Sequence, residues 1–125
     1  MFVCDIIKVQ KTRKVFFMSI QDIINNGGAT INYKGESVQM VSGYQVSKRD
    51  LGRVVINDFT QQMINDVVSC GLSRGEYCGI WIDDGFVYVD ISIRVPTKAR
   101  AMDIGKQLNQ LSILRWRDMA CLACV

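Results

Sequence analysis

The chain contains no histidine. That removes the commonest general base, and with it Ser–His–Asp and Cys–His nucleophiles, histidine metal sites and imidazole proton shuttles. Neither G-x-x-x-x-G-K-[ST] nor G-x-G-x-x-G occurs, so no phosphate-cradling glycine loop is indicated. Pro96 is the one proline, and there is no low-complexity tract, which argues against disorder. No apolar run approaches the roughly 18 residues of a membrane-spanning helix. The opening MFVCDIIKVQ has no basic n-region and carries Asp5 and Lys8 too early for a secretory leader. In the closing CLACV, Leu122 stands where prenylation needs cysteine. A cytoplasmic protein without a membrane partner is the expectation.

What is present is ordinary for a globular protein: 125 residues, 49% apolar and 22% charged. One domain over residues 1–125 is expected. The five cysteines are odd in number, which argues against a disulfide framework. Cys121-x-x-Cys124 looks like half of a zinc knuckle, but the second pair would be Cys70 and Cys78, which are loosely spaced for a structural zinc site. Buried thiols are the plainer reading, and no metal or cofactor is expected. Charge is segregated: +4 over residues 1–49, −5 over 50–93 and +5 over 94–117. An acidic middle between basic flanks fits internal complementarity or a dipolar surface better than one broad basic face.

The pattern of elements predicts an α+β fold with a mainly antiparallel sheet. FVCDIIKV and KVFFM read as strands joined by the basic QKTRK. Ser19, Asp22 and Gly27 bracket a short helix over about 20–26. Strands follow near 29–33 and 43–48, and RVVI reads as a possible further one. Phe59, Met63 and Val67, together with Ile64 and Val68, recur at helical spacing. They predict a helix over about 58–71, capped by Asn57 and stopped by Gly71. A second long helix, about 98–109, starts at Thr97 with Ala101, Ile104, Gly105 and Leu108 turned inward. Gly105 is expected to mark close packing, since glycine costs a helix about 1 kcal/mol relative to alanine. LSILRW reads as a strand and RDMACLACV as an apolar tail.

The segment EYCGIWIDDGFVYVDISIRVP is the strongest local pattern. Asp84-Gly85 is a preferred two-residue hairpin turn because both positions tolerate positive φ. That turn sets Asp83 opposite Phe86, Trp81 opposite Tyr88 and Gly79 opposite Asp90. On the other face Cys78, Ile80 and Ile82 meet Ile91, Val89 and Val87, a wholly apolar set that must be core. The face carrying Trp81 and Tyr88 is either a recognition patch or a second covered face.

NGGATINYKGE, SGYQVS, YCGIWIDDGFVYVDIS and ARAMDIGKQLNQLSI occur in that order between about residues 26 and 114. Together they resemble a set of small bacteriophage and mobile-element proteins, one that carries no assigned catalytic residues. The first 25 residues and the cysteine-bearing tail lie outside the resemblance. It implies a phage-type accessory protein in the host-cell cytoplasm. Such a protein, not an enzyme, would bind and block a host protein or ribonucleoprotein, a CRISPR or restriction complex being the expected kind of target. The expected contact residues are Trp81, Asp83, Tyr88 and Asp90, with Arg94 and Arg100 beside them; a homo-oligomer is compatible with this. Two alternatives stand beside it. Lys98, Lys106, Arg115, Trp116 and Arg117 make a basic stretch with an aromatic that could bind nucleic acid. Asp83 and Asp90 could also serve a histidine-free enzyme, if a concave pocket raises a carboxylate pKa.

Overall fold

The computed structural model describes residues 13–16 and 18–124. They form eight strands: β1 (Arg13–Phe16), β2 (Gly28–Asn32), β3 (Ser37–Met40), β4 (Tyr44–Val55), β5 (Glu76–Asp83), β6 (Phe86–Val95), β7 (Ser112–Arg115) and β8 (Ala120–Ala123). Three α-helices accompany them: α1 (Ile20–Asn26), α2 (Gln61–Gly71) and α3 (Lys98–Gln107). The strands make one antiparallel sheet in the order β1-β3-β2-β5-β6-β4-β7-β8. The fold is α+β and mainly sheet. No helix among the described residues is long and apolar enough to cross a membrane. The expected strand FVCDIIKV lies outside the described residues.

All three helices lie on one face. Alternation along β6 puts Val87, Ile93 and Val95 on the same side. Val87 packs with Cys78, Ile80 and Ile31, and with Ile23 of α1 and Ile64 of α2. Val95 and Ile93 pack with Val46, Ile113 and Ala101 of α3. Each fully buried aliphatic side chain contributes about 1.5–3 kcal/mol by leaving water, so this face carries most of the stability.

The other face is concave. Val38 and Met40 on β3 share a cluster with Leu114 and Trp116 at the β7 end, although four strands separate β3 from β7 in the sheet order. Contact over that span requires the sheet to curl into a half-barrel. A hydrogen bond from Thr30 Oγ1 on β2 to Gln45 Oε1 on β4, 3.1 Å across two intervening strands, requires the same.

Local chemistry accounts for the element ends. α1 opens on a capping box: Ser19 Oγ accepts from the Asp22 N–H at 3.1 Å, and the Ser19 N–H donates to Asp22 Oδ2 at 3.4 Å. Gly27 closes it at φ 82°. α2 starts later than expected: Thr60, not Asn57, is its N-cap, and residues 56–58 form a 3-10 turn. Phe59 explains the delay, because its ring is buried and its backbone is extended between the two helical pieces. In α3, Ala101 and Gly105 are buried, but Leu108 is 39% exposed and not inward. The helix has ended by Gln107, and the chain turns away through Asn109 at φ 57°. A Cβ on Gly105 would stand 2.8 Å from Cys124 Sγ and 3.2 Å from Ile113 Cγ2, so the glycine marks close helix–sheet packing. The apolar tail is itself a strand, β8, paired with β7.

Candidate functional site

The β5–β6 hairpin has the register that its turn dictates. Asp84 and Gly85 take φ 49° and 78°, and Trp81 pairs with Tyr88, Asp83 with Phe86 and Gly79 with Asp90. The face that carries Trp81, Tyr88 and Asp90 is the concave one. Together with β4 and the segment from Asn109 to Leu114 it encloses an open cavity of about 680 Å³.

Asp90 is the unusual group there. It is 8% exposed, and among the described residues its Oδ1 has no hydrogen-bond partner. Gly79 across the strand pair makes room for it, since a Cβ at position 79 would overlap Oδ1. Burial pushes the Asp90 pKa up to about 6; the nearby Ser47 hydroxyl opposes the rise, the charge of Asp50 adds to it, and the Trp81 side chain and Gly79 backbone N–H groups, close by, hold it back a little.

Asp50 reaches this position through a β-bulge. Ser47 pairs with Ser92, so an unbroken ladder would set Arg49 opposite Asp90. Instead Arg49 pairs with Ile91 and Asp50 with Asp90, with Lys48 as the extra residue. A second bulge follows between Asp50 and Gly52. The one-residue slip turns a would-be arginine–aspartate pair into two facing carboxylates. Ser47 Oγ donates to Asp50 Oδ1 at 3.2 Å. Deeper in the concave face, Gln45 Nε2 donates to Ser92 Oγ at 2.6 Å while its Oε1 accepts from Thr30, a buried and mutually satisfied chain. Arg53 lines the cavity but is held at its rim, 4.2 Å above the Phe86 ring and donating to the Tyr88 hydroxyl at 3.4 Å.

The structure brings together three of the six expected contact residues, Trp81, Tyr88 and Asp90. Asp83 stands exposed beside the hairpin turn. Arg94 is spent on its own chain: its Nε donates to the Ser42 carbonyl at 3.0 Å and its Nη2 to Ser42 Oγ at 3.2 Å. Arg100 is exposed on α3, on the helix-covered side of the sheet. Of the basic set, Lys98 and Lys106 are exposed on α3 and Arg117 is exposed after β7. Arg115 makes a two-pronged pair with Asp118, at 2.9 and 2.7 Å. Trp116 is 5% exposed and packed with Val38, Met40 and Leu114, so its ring offers no open stacking face.

The cysteines are dispersed. Alternation on β8 sends Cys121 to the concave face and Cys124 to α3, so the C-x-x-C thiols diverge. Cys70 is exposed, whereas Cys78 is buried and pushed up to about 12, chiefly by burial and then by the charge of Asp90, which keeps it a thiol. No cluster of three or more Cys, Asp or Glu able to hold a metal occurs among the described residues.

Gln45, Asp50 and Thr30 were outside the sequence-based set. Gly52, two residues before the β-branched Val54-Val55-Ile56, is the one local signal in β4 that could have pointed to a bulge. No protein family, curated protein or solved structure matches the chain, so no relative assigns a role to this cavity.

Proposed function

We propose that the protein is a non-enzymatic binding protein of the phage accessory type that captures a host macromolecule in the concave face of its sheet. The observation that carries this reading is the Asp90 carboxyl, buried beside two half-buried aromatics in the wall of an open cavity and facing the Asp50 carboxylate, with no hydrogen-bond partner at Oδ1 among the described residues. Buried acceptors are normally satisfied, and a carboxyl in a cavity wall that is not fully so favours a partner that brings positive charge to that wall. Trp81 and Tyr88 add the kind of aromatic anchor that dominates protein interfaces. A host protein or ribonucleoprotein, with a defence complex as the specific case, follows from the phage resemblance.

The test is affinity purification from a bacterial host, comparing wild type with a Trp81→Ala/Tyr88→Ala double variant and with Asp50→Asn, each checked for folding by circular dichroism. A macromolecule retained by wild type and lost from the variants supports the reading. Partners held equally by all three proteins sink it.

One observation favours a second reading. Asp50 and Asp90 face each other in a cavity, and a carboxyl titrating near 6 is suited to general acid–base work. On this reading the pair is Asp50/Asp90, with Asp83 outside the cavity. Hydrolysis of an activated glycoside or ester that disappears in both Asp50→Asn and Asp90→Asn would establish it; activity surviving in either would reject it.

A further inference from the structure

The concave cavity holds two carboxylates face to face, and Arg53, the one cationic side chain in its lining among the described residues, is ion-paired with neither. Asp50 and Asp90 are directly opposite on neighbouring strands, and like charges so placed destabilise a sheet. Neither belongs to a salt bridge among the described residues, whose two ion pairs are Lys48–Glu76 and Arg115–Asp118. Arg53 is committed to Phe86 and Tyr88 at the rim. Asp90 is more than nine-tenths buried, and it lines the cavity with Asp50, Trp81 and Tyr88.

We infer that this cavity binds an organic cation, an alkylammonium or guanidinium group seated between the Asp50 and Asp90 carboxylates and against the Trp81 and Tyr88 rings. The inference rests on the concave face being the binding face. An organic cation fits better than a metal ion for three reasons. Calcium takes about six to eight oxygen ligands, and two carboxylates are what the site supplies. The Gln45 carbonyl oxygen already accepts from Thr30, and the Ser47 hydroxyl already donates to Asp50. Aromatic walls attract ammonium and guanidinium groups through their π faces, and this preference rises when the cation is desolvated. A guanidinium can also address two carboxylates at once through its planar fork. The volume of about 680 Å³ accommodates more than the charged group, so an attached chain or backbone fits with it.

The source is either a free amine or guanidine compound or a lysine or arginine side chain of a protein partner, and the two are separable by experiment. The full chain is titrated with n-butylguanidinium, n-butylammonium and the neutral n-butylurea, followed by the indole N–H resonances of Trp81 and Trp116. The expected result is a saturable shift at Trp81 and at least about tenfold preference for the cations over the urea. Asp50→Asn and Asp90→Asn should each weaken the cations by about tenfold or more and leave the urea unchanged. Asp50 is exposed, so its variant tests the site with little risk to folding. Spermidine and an arginine-containing peptide are then compared: tighter binding of the first assigns a free polyamine, of the second a partner's side chain. Equal binding of the urea, no shift at Trp81, or magnesium or calcium binding more tightly than every organic cation would overturn the inference. If the cations fail while partner capture still depends on Trp81 and Tyr88, the cation site falls and the binding function stands.

Discussion

Replacing Asp90 with asparagine removes a charge that the native state holds at a cost. Burial raises its pKa from 3.8 to about 6, with the neighbouring Asp50 adding to the rise. A carboxyl that ionises less readily folded than unfolded binds more protons in the native state between those two values. Its contribution to stability therefore falls as pH rises from about 4 to about 6 and stays low above that. At about 1.36 kcal/mol per pH unit, the interval from 3.8 to about 6 corresponds to about 3 kcal/mol, most of it regained by pH 4. Urea unfolding of wild type and Asp90→Asn at pH 7.5 and pH 4 measures it. The variant should gain about 2–3 kcal/mol on wild type at pH 7.5 relative to the same comparison at pH 4. With a urea slope of roughly 1.5 kcal/mol per molar, that is a relative midpoint shift of about 1.5–2 M. Taking the difference between the two pH values cancels the cost of the unpaired amide. It also cancels Glu76 and Asp118, whose lowered pKa values act in the opposite sense in both proteins. An Asp90→Asn effect identical at both pH values, or one favouring wild type at pH 7.5, would refute the account of a buried, uncompensated carboxylate.

Two further perturbations follow from the glycines. Gly79→Ala should push the Asp90 carboxyl out of its niche, returning its titration toward 3.8 and shrinking the pH-dependent gain of Asp90→Asn to below about 1 kcal/mol; the urea series in the Gly79→Ala background reads this. Gly105→Ala raises helix propensity by about 1 kcal/mol yet should destabilise by about 1–2 kcal/mol through the clash with Cys124. Thermal unfolding of Gly105→Ala and of Gly105→Ala/Cys124→Ala checks it, with stability restored in the double variant; a stabilised single variant would show that the contact yields freely.

The parts of the molecule governed by near neighbours were legible in the sequence. Asp84-Gly85 with strict alternation on either side set the hairpin register pair by pair. Ser19, Asp22 and Gly27 bounded α1, because a cap is made within one turn. β4 was harder to read: its two bulges break the period of two, so residues 43–48 and RVVI read as separate pieces of one strand running from Tyr44 to Val55. Asp50 was hidden for the same reason, since a straight ladder assigns Arg49 to its place. The short strand β3 was missed between the breaks at Lys34-Gly35 and Ser42-Gly43. The concave face was beyond local reading altogether. It depends on β3 meeting the β7 end across four strands, and that contact decides that Trp116 is core and Asp90 is buried.

The bulge at Lys48 joins two properties that are usually separate. A bulge sharpens the local bend of a strand as well as accommodating an extra residue, so Lys48 bends the cavity wall while Asp50 is held opposite Asp90. Deleting Lys48 would part the two. Arg49 and Asp50 would keep Ile91 and Asp90 as partners in an unkinked ladder, leaving the carboxylate pair on a flatter sheet. Length variation at this position is thus a route by which the shape of the site can change while its chemistry is inherited intact.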